Sequence, residues 1–387
     1  MSPQKAARVA LLVLLPRAFA QPREAGSREE IREARASLAL TVAHRNIETG
    51  ALPAFVAASG LPDIASLPAL QIAAGRAKPL PWGAPLAQGP MIHVFDTASL
   101  EGGPWYVNDH TLAQAPDGSW HLFGIFHHEP LNADAEVDFI HAVSDESDLA
   151  QWNEGTFRAA PGELAIALTA DRSLGETHLW APHVVAAEGR WAMIYQGGGE
   201  DGDHASIRLA ESDDLYRWSR VSTVPLFTDF CVARDPMLVR RDPLWSLYYT
   251  RCASRGRRAS GVAHRTSRDL VHWSEPTMAL TLGEATVTPD SGYTESPFVF
   301  ERGGAYYLSV TSYPIGWDAT FVYRSRDPLS SPDAPLGRVR AHAAEWLFDR
   351  RGRAHVTHAG PGQRGVWISR VDLPDDAPPP DAATSPR

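Results

Sequence analysis

Cysteine is nearly absent from this chain, which holds only Cys231 and Cys252 in 387 residues. At most one disulfide is available, so no framework of bridges carries the fold. Lysine is equally scarce, with Lys5 and Lys78 alone, so arginine supplies almost all of the 36 positive side chains. Against 46 acidic residues this leaves a net charge of −10, and no basic stripe is evident. Phosphate backbones are bound by clustered cations, so the composition argues against a nucleic-acid partner. A long apolar run is missing beyond the N-terminus, which argues against membrane insertion. A chain of this length that is 44% hydrophobic reads as soluble and globular, with one large core or two ordinary ones.

What the chain does hold is a repeat. Ala233–Val239, a short polar turn and Leu244–Thr250 read as two strands rich in β-branched and aromatic residues, the pattern of a hairpin. The aromatic second strand recurs at Trp120-His121-Leu122-Phe123, Trp191-Ala192-Met193-Ile194-Tyr195 and Tyr306-Tyr307-Leu308, each behind a polar turn. A weaker fifth copy spans Asp349–Val356. Between copies runs a second element, a turn of Ser and Asp closed by Leu and Trp, seen at Ser144–Trp152, Ser212–Trp218 and Ser267–Trp273. Short strands and hairpin turns repeating every roughly 45–70 residues are the signature of propeller blades. Five copies predict an all-β, five-bladed β-propeller.

The flanks read differently. Lys5 and Arg8, the apolar Val9–Leu15 and the small-residue site Ala18-Phe19-Ala20 before Gln21 form the three parts of a secretory signal, so residues 1–20 are expected to direct export to the periplasm or medium. Ser27-Arg28-Glu29-Glu30 resembles a capping box, and Ile31, Leu38 and Val42 continue at helical spacing, predicting a short amphipathic helix. Residues 21–90 are thus a helical segment and linker, 91–372 the propeller, and 373–387 a disordered tail rich in Pro, Asp and Ala.

The innermost strand of each blade lines the central channel, so one polar residue from each of several blades can meet in one pocket. The candidates precede the aromatic strands: Asn108-Asp109-His110, Trp180-Ala181-Pro182-His183, Arg234-Asp235-Pro236 and Glu295-Ser296-Pro297. Asp109 stands eleven residues before Trp120, Asp235 ten before Trp245 and Glu295 eleven before Tyr306. Matched offsets predict matched heights along the axis. Converging carboxyls repel, so one is held protonated while another stays ionised. Cleavage of a glycosidic bond requires that division: one acid protonates the leaving oxygen, and one carboxylate attacks the anomeric carbon or activates water.

On these residues, from about Trp105 to Asp372, the chain resembles the five-bladed propeller glycoside hydrolases of families 43 and 32, which include arabinofuranosidases, xylosidases and fructosidases. Tyr106-Val107-Asn108-Asp109 looks like their first-blade motif, Arg234-Asp235-Pro236 like the shared motif that holds sugar hydroxyls and tunes the acid, and Glu295-Ser296-Pro297 like the general-acid motif. Family 43 would imply Asp109 as general base, Asp235 as pKa modulator and Glu295 as general acid, with inversion; family 32 would make Asp109 a nucleophile, with retention. Trp180-Ala181-Pro182 and His358-Ala359-Gly360 lean to family 43, whereas Asn108-Asp109 and Arg234-Asp235-Pro236 lean to family 32. His110 departs from the fructosidase pattern and His183 from many family 43 members.

The resemblance implies a monomer that cleaves terminal arabinofuranosyl, xylosyl or fructofuranosyl linkages of an oligosaccharide or polysaccharide. Sugar rings stack on indole, which makes Trp105, Trp180 and Trp317 candidate substrate contacts beside Asn108, His183 and Arg234. The chemistry needs no cofactor. In some family 43 members a last-blade histidine like His358 approaches a central calcium or its waters, which leaves a structural calcium open here. His127, His128 and His178 lack the spacing of a zinc helix. Two alternatives share the scaffold: a carbohydrate-binding propeller without catalysis, and a transglycosylase or phosphorylase. Finally, a hairpin pairing Val239 with Leu244 would place Cys231 opposite Cys252, within disulfide reach, and Asp235 opposite Tyr248.

Overall fold

The computed structural model describes residues 84–130, 132–198, 206–229, 232–252, 259–281, 294–312, 318–329, 334–360 and 363–374. The signal segment, the helix from Ser27, Trp317 and Cys231 lie outside the described residues, as does nearly all of the expected tail.

Five sheets of four or five strands make up the described part, one per blade, all antiparallel except where Ala84–Pro85 joins its sheet in parallel. Their innermost strands are Trp105–Gln114, Leu179–Ala187, Arg234–Arg241, Thr294–Arg302 and Glu345–Phe348. The aromatic strands that drew attention in the sequence are the second strands, at Trp120–His128, Arg190–Gly197, Leu244–Cys252, Ala305–Ser312 and Ala354–Ala359. Both faces of each second strand are covered by a neighbouring blade, which is why they read as nearly continuous apolar runs. Their side chains alternate between the two junctions. In blade 1, Leu122 enters the core shared with blade 5 while Phe123 and Ile125 enter the core shared with blade 2. In blade 3, Leu247 and Tyr249 face blade 2 while Tyr248 faces blade 4. Five separate hydrophobic clusters result, one at each junction.

The ring is closed by the two ends of the propeller. Ile92–Asp96 forms the outer strand of blade 5 by pairing with Gly365–Asp372, and Ala87–Gln88 pairs with the same strand. Ala84–Pro85 adds to the edge of blade 4. Strand pairing therefore begins seven residues ahead of the expected start at 91. The Ser-Asp-Leu-Trp elements are the turns after the third strands, where Leu215 and Leu270 adopt φ of 66° and 64° and the indoles of Trp218 and Trp273 donate back to their carbonyls.

The predicted hairpin register is corrected by two residues. Arg241 pairs with Leu244, Val239 with Ser246 and Met237 with Tyr248, because the turn is the two-residue Asp242-Pro243. Asp235 is consequently not opposite Tyr248. Farther out Arg234 pairs with Thr250, so the register that motivated a Cys231–Cys252 bridge does not hold.

The inner strands of blades 1 to 4 each carry a bulge with one residue in the left-handed region, Asp109 (φ 30°), Ala181 (46°), Asp235 (53°) and Ser296 (47°), and Ala343 (50°) takes the same conformation just ahead of the blade 5 inner strand. Side chains other than glycine resist this conformation, and bulges of this kind re-aim a side chain. A five-residue unit is thereby repeated in every blade, as Asn108–Leu112, Trp180–Val184, Arg234–Leu238, Glu295–Val299 and His342–Trp346. In blades 1, 2 and 5 its fourth residue latches the next blade. Thr111 Oγ1 accepts from Val184 N (3.3 Å), His183 Nδ1 from Leu238 N (3.2 Å), and Glu345 Oε2 from Leu112 N (3.2 Å). An inner strand has one edge without a strand partner, and these side chains supply the missing acceptors.

Glu345 closes the ring between the last blade and the first. Burial pushes its carboxyl well above the ordinary range, so an uncharged amide of the same shape replaces it readily. Glu345→Gln is expected to unfold in denaturant within about 0.5 kcal/mol of wild type, whereas Glu345→Ala, which strands a buried N–H, loses about 1–3 kcal/mol. Equal losses in the two variants would remove the latch role.

Candidate active site

The bulges set two rings of side chains around one mouth of the channel. The inner ring is Asp109, Ala181, Asp235, Ser296 and Ala343. The outer ring, one residue earlier in each blade, is Asn108, Trp180, Arg234, Glu295 and His342. Asp109 and Asp235 are thus level with one another, but Glu295 stands one residue nearer the mouth, and Ser296 takes the equivalent position. Matched offsets misled because the blade 1 hairpin, from Gln114 to Trp120, is one residue longer than that of blade 4, from Glu301 to Tyr306. The three acids still meet.

Asp235 is the most firmly held. Its Oδ2 accepts from the Ser296 backbone N–H (3.1 Å) and the Thr250 hydroxyl (3.2 Å), with Arg234 Nε at 3.6 Å. The Arg234 guanidinium also donates to Glu295 Oε1 at 2.6 Å and to the Thr294 carbonyl at 3.3 Å. One arginine therefore orients two acids on adjacent blades. Asp109 Oδ1 has no hydrogen-bond partner, and His342 Nε2 lies 3.8 Å from it.

Electrostatics separates these groups from ordinary carboxyls. Burial pushes Asp109 well above the usual range, and the negative charges of Asp235, Glu295 and Glu136 push the same way against Arg234. Glu295 is pushed up to about 7, again chiefly by burial, with Arg234 opposing the shift. Two neighbouring acids in a dry site cannot both ionise cheaply, so the pair retains a proton near neutrality.

Other expected contacts fall in different places. Asn108 and Trp180 are on the outer ring, with Asn108 Oδ1 and Trp180 Nε1 buried and unpartnered. His183 is a latch that also lines the cavity shared by Asp109 and Asp235, and burial lowers its pKa to about 4. Trp105 packs into its own blade, stacked on His128 at 3.7 Å and Phe126 at 4.5 Å, with its indole N–H donating to the Glu101 carbonyl. Trp120 and Trp245 are blade core, at 9% and 3% exposure.

His358 is buried in blade 5, and burial lowers its pKa to about 4. His110 and His342 act on it or on each other electrostatically, and His110 Nε2 meets the Thr357 hydroxyl at 2.9 Å. Calcium takes six to eight oxygen ligands, so this imidazole-rich group does not fit it. Among the described residues no three His, Cys, Asp or Glu side chains gather as a metal-ligand set.

Sequence reasoning missed His342, Gln196, Glu136 and the Glu345 latch. The signal for two of them was present: His342-Ala343-Ala344-Glu345-Trp346 repeats the pattern of Trp180-Ala181-Pro182-His183-Val184, but without the proline. Glu136 lies in a loop between the second and third strands of blade 1 and has no local signature.

A sequence profile of known families matches residues 147–368, and its description is glycosyl hydrolases family 43. The chain belongs to that family. Among curated proteins none matches it. In fold, this family 43 chain is similar to an endo-arabinase from Bacteroides thetaiotaomicron, at 14% identity and a TM-score of 0.55 over 73% of this chain and 98% of that one. It is similar also to an α-L-arabinofuranosidase from Lactobacillus brevis, at 13% identity and a TM-score of 0.54 over 70% and 93%. A family 32 β-fructofuranosidase from Bombyx mori shares the fold at 17% identity and a TM-score of 0.50, covering 68% of this chain and 59% of that one. At such identities the likeness is one of fold, and the family 43 chain is a glycoside hydrolase on the strength of its profile match.

Proposed function

We propose that this family 43 hydrolase removes terminal arabinofuranosyl or xylosyl units from oligosaccharides or polysaccharides by a single inverting displacement. The observation that carries the reading is the convergence of Asp109, Asp235 and Glu295 on one buried mouth, with Glu295 held by Arg234 and poised to about 7. A general acid works best with a pKa near the operating pH. Glu295 gives its proton to the leaving oxygen as the anomeric C–O bond breaks. Asp109, in its ionised form, takes a proton from the water whose oxygen bonds to the anomeric carbon. Asp235, fixed by Ser296 N and Thr250, holds sugar hydroxyls and keeps Arg234 and Glu295 in place. Proton exchange with solvent then restores both acids. Export and a monomeric state belong to the same reading, supported by the charged, apolar and small-residue segments of residues 5–20 and by the self-closed ring of blades.

The test is a screen of aryl α-L-arabinofuranoside, β-D-xyloside and β-D-fructofuranoside beside sucrose and levan. Turnover is expected on one of the first two, and its rate is expected to fall as pH rises past about 7, where Glu295 loses its proton. No turnover on any of them would defeat the proposal.

A further inference from the structure

The two faces of the ring differ in charge. The inner strand of blade 4 starts at the mouth beside Glu295 and ends at Arg302, so its hairpin turn Gly303-Gly304 lies on the opposite, rear face, roughly 25 Å from the acids by the rise of an extended strand. A cavity of about 540 Å³ opens beside this turn, within the range of ligand sites, and its lining includes both glycines, Arg324, Arg326, Pro335 and Leu336. Arg324 and Arg326 are exposed. Cations flank the turn on either side: Arg241 of blade 3 lies over Tyr306 at 4.3 Å, Arg324 over Tyr307 at 5.9 Å, and Arg302 over Phe348 of blade 5 at 5.5 Å. The turn glycines adopt φ of 57° and 70°, and no described atom stands within 4 Å of where a Gly304 side chain would begin, so a ligand can reach the backbone there.

Few carboxylates oppose these arginines. At this end of blade 4 they are Glu301 and Asp327 among the described residues, and Asp327 Oδ1 already accepts from Leu329 N at 2.9 Å. The rear turns of blades 1 and 2 are the reverse: Asp117, Asp145, Glu146 and Asp148 crowd the first, and Arg190 of the second is engaged by Glu211 and Asp213, each at 2.7 Å. Salt screens charges beyond about 8–10 Å, so an anion near Arg324 meets the local arginines rather than the net charge of −10. A guanidinium holds a carboxylate through two parallel hydrogen bonds, and the half-buried Pro335 and Leu336 offer an apolar wall to a ring. A carboxylate carried on a sugar ring meets both demands, whereas an inorganic anion would leave the wall unused.

We propose that this rear cavity is a second, non-catalytic site that binds a uronic-acid unit of a polysaccharide, with the carboxylate at Arg324 and Arg326 and the ring against Pro335 and Leu336. This rests on the hydrolase reading above for the source of the chain, and it goes beyond that reading by giving the protein an anchor on the face away from the acids.

The full chain would be titrated calorimetrically with polygalacturonate, neutral linear xylan and poly-L-glutamate, and aryl pentosides would be assayed in parallel. Wild type is expected to bind polygalacturonate in preference to both others, and about tenfold or more weakly at about 0.5 M salt than at about 0.05 M. The double variant Arg324→Gln, Arg326→Gln is expected to lose about tenfold or more of that affinity while its melting temperature and its kcat/KM on aryl pentosides stay at the wild-type values. Arg190→Gln, on the rear of blade 2, should bind as wild type does. Saturating polygalacturonate should leave aryl-pentoside hydrolysis unslowed, because the two sites lie on opposite faces. Competitive inhibition would place the polyanion at the mouth and overturn the inference, as would an unchanged affinity in the double variant. Equal affinity for xylan or for poly-L-glutamate would also overturn it, and each of these results leaves the hydrolase reading intact. Polygalacturonate binding that the double variant abolishes, in a protein that hydrolyses no glycoside, would instead sink the hydrolase reading and uphold the rear site.

Discussion

Asp109→Asn is expected to lower turnover at least about a thousandfold while leaving the propeller folded. The expected fold survival follows from the backbone, since Asp109 sits at φ 30° and asparagine tolerates the left-handed region as well as aspartate does. Its Oδ1 has no hydrogen bond to lose, and replacing a carboxyl surrounded by Asp235, Glu295 and Glu136 removes repulsion. The loss in rate follows from chemistry, because an amide cannot take a proton from water. The check is kcat on the best aryl glycoside beside a thermal melt. A folded variant with a rate near wild type would remove Asp109 from the catalytic machinery.

Glu295→Gln is expected to abolish hydrolysis of natural linkages, whose leaving oxygens are strongly basic, and to spare activated aryl glycosides much more. An acid contributes most where the leaving group most needs a proton. Equal losses on both substrate types would remove Glu295 from this role. Stability gives a second readout with a definite sign. The carboxyl is raised from 4.5 in the unfolded chain to about 7 in the fold, so it contributes stability that is full below about 4.5 and is lost as pH rises through about 7. Glutamine keeps an acceptor for Arg234 without that loss. At pH 8 the variant should therefore be more stable than wild type, by on the order of 1–3 kcal/mol, and at pH 4 the difference should vanish. Wild type melting higher than the variant at pH 8 would contradict the burial of this acid.

The repeat shows how far a sequence can be followed. Trp120, Trp191, Trp245 and Tyr306 mark second strands because a strand buried on both faces must be apolar almost throughout. The aspartates before them were legible for the opposite reason, as carboxyls set among strand-forming residues where a charge is costly. Counting failed by one residue at Glu295 and by two at the Asp242-Pro243 turn, since loop length decides register and leaves little trace in composition. Trp105 shows the same limit in another form, because an indole beside a motif packs into its own blade or faces the channel according to pleat and neighbours.

The sequence by itself determined the five-bladed plan and the second strands, and it singled out three acids and an arginine as candidates. Those features are local, set by hydrophobic period, turn chemistry and short motifs. Only the tertiary structure decided that Glu295 stands one level above Asp109 and Asp235, and that His342 of the last blade flanks Asp109 of the first. His342 and Asp109 are 233 positions apart in the chain and 3.8 Å apart in space. Such neighbours are brought together by ring closure and by bulges that turn side chains towards the axis, and neither leaves a sign within any one blade.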